Sequence, residues 1–473
     1  MITIATKVTK TVLATKVTKI TKYKKFLVTS VFFVAKRLCA LGGFFLFLTA
    51  ATHAQQPGPL RLSLEEARTR AQAASHRLAE ARARAAMAEG TVAIREAADR
   101  PIVAASGSYT RTNHVTEFIV PSATGVPRVL YPDAPDNYRT RLSLQWPIYS
   151  GGRTGALERA ARAEASAAAS DVATGQADLR LEVTRAYWAL VTARSTADVL
   201  IQSLARARTH LGDARERLSA GLVAPNEVAS AEAQESRQRM LLIEAQNQRA
   251  LSSAELARLM GVDLLQPIEP VDTLDVPPPT SSSLESLVAG ARAMRNERRA
   301  FEQHIEAADH QRVAAEAGWR PAIAVTSGVD YARPNLRIFP VAERWDDSWD
   351  VGVAVNWSLW DGGRARAEAA QAGSAAEAVR QRLAEFDSVL ALEIQQRLLE
   401  IDSGRAAITA AGDAVRAAAE ARRVVAERYR AGVVAQTEVL DADVALLQAE
   451  LDRTRATAGV RFSEARLDRA LGR

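Results

Sequence analysis

The sequence predicts a mainly α-helical protein with a transmembrane β-barrel portion, built as a tandem α-β-β-α-α repeat. Three observations predict it: a phrase written twice, helical periodicity too long for a globular domain, and four alternating strands. "QWPIYSGGR" at 145–153 returns as "NWSLWDGGR" at 356–364, 211 residues on. "RLSAGLVAPNEV" (217–228) returns as "RYRAGVVAQTEV" (428–439) at the same offset. Upstream, Arg-Pro at 100–101 and 320–321, and "LSLEEA" (62–67) against "SSLESL" (282–287), are about 220 apart. The offset falls by nine between the Pro and Trp phrases, so the first copy carries a longer loop there. Two copies of one unit follow, 55–268 and 283–473, joined by a Pro-rich linker at 269–282.

Residues 1–54 read as a signal peptide. They hold all eight lysines plus Arg37 and no acid. An apolar run at 38–50 is short for a membrane span, and Thr52 and Ala54 place small residues before a cut at Gln55. An uncleaved anchor that also uses 26–35 is the competing reading. The formal charge of +6 resides in this leader; the remainder has 52 basic residues against 55 acidic ones, which removes the case for a nucleic-acid partner. Cys39 is the sole cysteine and also falls in the leader, so the mature chain is expected to lack disulfides and thiol chemistry.

In each copy a Pro-free helix rich in Ala, Glu and Arg is expected over 63–99 and 283–318, ending before Arg-Pro. Two strands follow, at about 102–115 and 138–149, then 321–332 and 347–360. Leu142, Leu144, Trp146 and Ile148 alternate with Arg141, Ser143 and Gln145. Trp349, Val351, Val353, Val355, Trp357 and Leu359 alternate with Asp350, Gly352, Ala354, Asn356 and Ser358. Ten-residue strands with one apolar and one polar face suit a barrel in lipid around a wet lumen. They also suit a soluble half-buried sheet. Six of the seven Trp lie in or beside these strands, which favours the membrane; Trp146, Trp349, Trp357 and Trp360 are the expected interface aromatics. Four strands cannot close a barrel of lumen size, whereas three chains supply twelve.

Each second strand ends at a Gly-Gly pair, Gly151-Gly152 or Gly362-Gly363, which gives the freedom for a strand-to-helix turn. A helix over about 154–219 follows, on the order of 100 Å long at ~1.5 Å per residue. Its apolar seam, Ala186, Leu190, Ala193, Ala197, Leu200, Leu204, Ala207, Leu211, Ala214 and Leu218, steps by three and four. The second copy repeats the seam from Ile394 to Tyr429, interrupted by Arg397, Gly404 and Arg422. Gly221 and Gly432 then break the helix and the chain reverses.

The leader, the duplicated element order, the W…GG(R) phrase and the G-x-x-x-x-x-[ED]-V phrase together resemble the TolC family of outer-membrane efflux proteins, over nearly all of the mature chain. The resemblance implies a homotrimer, with a twelve-stranded β-barrel in outer-membrane lipid and a twelve-helix α-barrel reaching into the periplasm. It implies a passive exit duct for a tripartite efflux or type I secretion system. Its partners would be a periplasmic adaptor (membrane fusion protein) and an inner-membrane pump of RND or ABC type, with no cofactor, no metal and no nucleic acid. The tips, Gly221, Leu222, Val223 and Gly432, Val433, Val434, would dock the adaptor. Glu438, Asp441 and Tyr429, with Asn226 and Glu227 opposite, would form the periplasmic gate. The family's latch arginine falls on Val434 here, so an arginine latch is not expected at that place. The residues alone leave a second reading open, a periplasmic or inner-membrane-anchored coiled-coil interaction protein. Six scattered His and the lack of HExxH, CxxC, P-loop or G-x-S-x-G phrases give no support to an enzyme.

Overall fold

A computed structural model describes residues 58–121, 125, 127–276 and 283–473. The expected leader lies outside the described residues, as do 277–282 of the linker. Every element below belongs to one unit, Pro59–Arg473.

The unit opens with β1 (Leu60–Leu62), which pairs in parallel with β6 (Ile268–Pro270), a small sheet that no sequence pattern announced. The helix expected over 63–99 is two helices, α1 (Leu64–Ala74) and α2 (His76–Ala97). Ser63 and Glu66 form a capping box at the start of α1. Ser75 is extended (φ −70°, ψ 113°), and its hydroxyl accepts from the Leu78 N–H, so it ends one helix and caps the next. The counterpart is α5 (Leu284–Met294) and α6 (Asn296–Glu316), broken at Arg295 with nearly the same dihedrals (φ −69°, ψ 122°). The break lets Ala67 and Ala71 of α1 and Leu78 of α2 join one core.

The long helices are α3 (Arg153–Ser219) and α7 (Arg364–Arg430), each of 67 residues, or about 100 Å. Each folds back on a shorter partner, α4 (Pro225–Met260) and α8 (Gln436–Ala470). The α3 seam from Leu190 to Ala214 is buried at every predicted step. The interruptions in α7 have partners. A Cβ on Gly404 would lie 2.6 Å from Val460 Cγ2, so the glycine makes room for Val460 of α8. Arg422 donates to Asp443 at 2.7 Å, and Arg397 pairs with Glu400. The cores are duplicated too. Ala71, Leu179, Val183, Leu259 and Met260 of one cluster match Ala291, Leu390, Ile394, Ala470 and Leu471 of another. Among the described residues no helix is long and apolar enough to cross a membrane.

The main sheet contains β2 (Ile102–Arg111), β5 (Asp136–Tyr149), β7 (Ala322–Arg333) and β8 (Asp346–Asn356), all antiparallel in that order. The two repeats form the same hairpin: Ile102 faces Gln145, and their counterparts Ala322 and Asn356 also face each other. β8 stops at Asn356, so Trp357 and Trp360 lie beyond the strand rather than within it, and β2 stops at Arg111, short of the expected 115. The extra length of the first copy holds a hairpin, β3 (Phe118–Val120) and β4 (Arg128–Tyr131). The Val341 N–H in the loop after β7 donates to the Leu130 carbonyl at 3.2 Å, which joins the outer loops of the two repeats.

Candidate functional site: sheet, junctions and tips

The sheet separates its faces by the parity of its residues. Leu142, Val329 and Trp349 stand in register on one face, as do Trp146, Val325 and Val353. On this face Trp349 is 72% exposed and Val353 67%. Exposed apolar side chains at this density along a sheet suit lipid, and a polar reverse face suits water. At the end far from the helices, Tyr109, Tyr138, Trp345 and Tyr331 form a chain of ring contacts with centroids 5.0–5.9 Å apart. At the near end stand Trp146, Trp319, Trp357 and Trp360. Tyr138 and Trp146 are eight residues apart on β5, about 27 Å along the strand, or about 20 Å of height at a ~40° tilt. That separation matches two aromatic belts bounding an apolar band. The tyrosines of the outer belt were missed in the sequence because they belong to different strands and only the pairing brings them together.

The near-end tryptophans have a second task. Trp146 Nε1 donates to the Asp99 carbonyl at 3.2 Å, and Trp357 Nε1 donates to the Trp319 carbonyl at 3.1 Å. These are equivalent bonds in the two repeats. Each ties the end of a strand to the end of the helix that precedes the sheet. All four junction glycines, Gly151, Gly152, Gly362 and Gly363, have positive φ between 68° and 87°. Gly151 is also crowded: a Cβ there would lie 2.7 Å from Arg320 Cβ, and Arg320 Nη1 donates to its carbonyl at 3.0 Å.

Both tips end in the same hydrogen-bonded cap. The Gly221 N–H donates to the Leu218 carbonyl and the Leu222 N–H to Arg217; Gly432 and Val433 donate to Tyr429 and Arg428 in the same way. Gly221 (φ 70°) and Gly432 (φ 74°) supply the left-handed residue. Leu222 and Val433 are left at the apices, 74% and 63% exposed. Val223 and Val434 are half-buried beside them.

The two tips of one chain are fastened together. Arg217 lies with its guanidinium carbon 4.6 Å from the Tyr429 ring centre. It donates to the Tyr429 and Arg430 carbonyls at the negative end of α7, both at 3.2 Å, and shares the Tyr429 carbonyl with the Gly432 N–H. The Tyr429 hydroxyl donates to Glu227 at 3.3 Å, and Gln436 Nε2 donates to the Glu227 carbonyl at 2.8 Å. Burial, followed by the Glu227 charge, raises the Tyr429 pKa. An arginine therefore does sit on Tyr429, from Arg217 rather than from the place Val434 occupies. Arg217 begins the repeated phrase, but nothing local to it points to Tyr429, 212 residues on.

Behind Tyr429, at 5.5 Å between ring centres, His210 is buried and its Nε2 has no hydrogen-bond partner. Burial pushes its pKa below the ordinary histidine value, against the opposing pull of Asp443 and Asp213. Of the other expected gate residues, Asn226, Glu438 and Asp441 are exposed and make no side-chain bond among the described residues. Tyr429 and Glu227 are thus brought together, and the two acids of α8 stand apart from them. Among the described residues no cluster of His, Cys, Asp or Glu is placed to hold a metal.

A model of the family described as outer membrane efflux protein matches residues 67–262 and 287–473. The chain belongs to the outer membrane efflux protein family. It is similar to the toluene efflux pump outer membrane protein TtgF of Pseudomonas putida, 27% identical over 350 residues, covering 71% of this chain and 69% of that one. In fold it is similar to the outer membrane protein VceC of Vibrio cholerae (TM-score 0.72, 21% identity, 86% of this chain and 96% of that one). It is similar also to the CmeC outer membrane channel of Campylobacter jejuni (TM-score 0.73, 16% identity, 86% and 85%). As an outer membrane efflux protein it is the exit channel of an efflux system, sited in the outer membrane and extending into the periplasm.

Proposed function

We propose that three copies of this chain close a twelve-stranded barrel whose apolar face meets outer-membrane lipid and whose polar face lines the lumen. The six long helical hairpins continue that lumen through the periplasm as a passive duct. The tips around Gly221 and Gly432 receive a periplasmic adaptor, and an inner-membrane pump of RND or ABC type supplies substrate and energy. Arg217, Tyr429, Glu227 and Gln436 hold the periplasmic end shut within each copy. Glu438 and Asp441 ring the axis, where converging carboxylates repel one another and attract cations. Arg428, the repeat counterpart of Arg217, has no side-chain partner among the described residues and is available to the next copy's first tip.

One observation carries the reading. β2 and β8 are edge strands of 10 and 11 residues, each with a neighbour on one side only. Long unpaired edges are templates for another chain. The internal duplication also sets how they join. β5 and β7 pair Leu142 with Val329 across the boundary between repeats. The same pairing between copies places Val353 opposite Tyr109 of the next chain, and the bond from Arg320 to Gly151 becomes one from Arg100 to Gly362. Tyr109→Cys with Val353→Cys, in protein otherwise free of cysteine after the leader, is expected to give covalent trimers on mild oxidation. Arg111→Cys with Val353→Cys, a register two residues off, is expected to give few. Monomers from the first pair, or equal yields from both, would refute the closure.

A further inference from the structure

The polar face of the sheet carries a charge station that the duct reading leaves unused. Among the described residues of the four strands, the charged side chains on that face are Arg139, Arg141, Asp330, Asp346 and Asp350. Asp346 is paired with Arg344 at 2.9 Å. Asp330 is 3% exposed and takes Arg139 Nε at 2.7 Å and Arg141 Nη1 at 2.5 Å. Arg141 Nη2 reaches on to Asp350 at 3.0 Å. A third guanidinium arrives from the loop after β7, where Arg337 Nη1 meets Asp350 at 2.9 Å.

Two features make this a built site rather than a surface ion pair. Gly328 stands under the Arg141 guanidinium, and a Cβ there would lie 2.3 Å from Nη2, so only glycine lets the group lie flat across β7. The loop is pinned in place by Asn335, 4% exposed, whose Nδ2 donates to the Asp346 carbonyl at 3.1 Å and Ser348 Oγ at 3.0 Å. A cavity of about 300 Å³ lies between loop and sheet, lined by Ser108, Asn137, Arg139, Asp330 and Arg337. Three guanidiniums share two carboxylates there. Arg139 engages Asp330 through Nε and Arg337 engages Asp350 through Nη1, and their side chains are 53% and 47% exposed, which leaves each with donors to spare. Partly shared guanidiniums in a recess bind planar or tetrahedral anions through paired N–H groups.

We propose that Arg139, Arg141 and Arg337 form an anion-selective collar near the outer mouth of the duct, which takes carboxylate- or phosphate-type groups on passing solutes. It is opposite in sign to the acids at the tips. The collar rests on the trimeric duct reading, and the test separates the two.

Purified full-length trimer is inserted in planar bilayers, and hexacyanoferrate(III), a trianion, is added on the extracellular side. Wild-type channels are expected to be blocked, while hexaamminecobalt(III) from that side leaves the current unchanged. Arg139→Gln with Arg337→Gln is expected to weaken the anion block at least fivefold. Gly328→Val, which moves Arg141 without removing a charge, is expected to weaken it as well, and Asp350→Asn to strengthen it. Conducting channels whose anion block is the same in the arginine variants, or that the trication blocks equally, overturn the collar alone. Failure of the wild type to form channels overturns the duct reading and the collar with it.

Discussion

Removing Arg217 tests the fastening of the tips most directly. The side chain makes two charge-assisted hydrogen bonds at 3.2 Å to helix-end carbonyls and a cation–π contact at 4.6 Å. A hydrogen bond to a charged donor contributes about 1.5–3 kcal/mol when buried. These are long and half-exposed, and the carbonyls can turn to water, so about 0.5–1 kcal/mol each is appropriate. The ring contact adds about 0.5–1 kcal/mol. Arg217→Ala should therefore cost about 2 kcal/mol, roughly a 30-fold shift toward the released hairpin in each copy. Amide exchange over 424–436 in the detergent-solubilised trimer reads that opening directly, and it should quicken by about that factor. Arg217→Lys keeps the charge at the helix end but loses the planar fork, so it should recover less than half. Combining Arg217→Ala with Tyr429→Leu should reveal a coupling of about 0.5–1 kcal/mol. Unchanged exchange in Arg217→Ala, or strictly additive effects in the pair, would refute the contact as a fastening.

Three further outcomes follow from the tips. His210 has a depressed pKa in the folded state, so its contribution to stability is complete above about pH 6.5 and is lost as pH falls through that value toward the depressed one. The groups around it are Asp213 and Arg217 on α3, Arg422 and Tyr429 on α7 and Asp443 on α8. Protection of the tip amides, taken relative to their intrinsic exchange rate at each pH, should fall from about pH 7 to about pH 5, and His210→Gln should flatten that dependence. Gly432→Val places a β-branched residue at φ 74° with no atom within 4 Å of its Cβ, so its cost, on the order of 1–3 kcal/mol, is purely conformational. Efflux in a deletion strain should fail while trimer yield holds, and Gly432→Asn should be much milder; equal defects would point to lost contacts instead. Asp441→Ala should weaken cation block from the periplasmic side in single-channel recordings, and an unaltered block would remove Asp441 from the gate.

Much of the architecture could be read from the chain because a duplicated sequence is its own comparison. The repeated W…GG and R…AG phrases located both junctions and both tips to within a residue or two. Positive φ favours glycine wherever it stands, and the three-and-four spacing from Ala186 to Leu218 marks one buried stripe of a long helix. Alternation separated lipid-suited from water-suited faces for the same local reason, since side chains on a strand point to opposite sides whatever lies beyond. Other features depended on partners far away in sequence. Ser75 and Arg295 break helices that look continuous, because the core draws both halves inward. Gly404 reads as a flaw in a seam until Val460 is placed against it. Arg217 reads as a solvated arginine until the second tip, 212 residues on, presents its carbonyls. Local backbone preference and periodicity are written in short windows, so the sequence by itself determined the long helices, the four main strands, their duplication and the two faces of the sheet. Hydrogen bonds and ion pairs between distant segments depend on distances of a few ångströms that no window encodes. Only the tertiary structure could decide which arginine holds Tyr429, and that Arg139, Arg141 and Arg337 meet two aspartates on one wall.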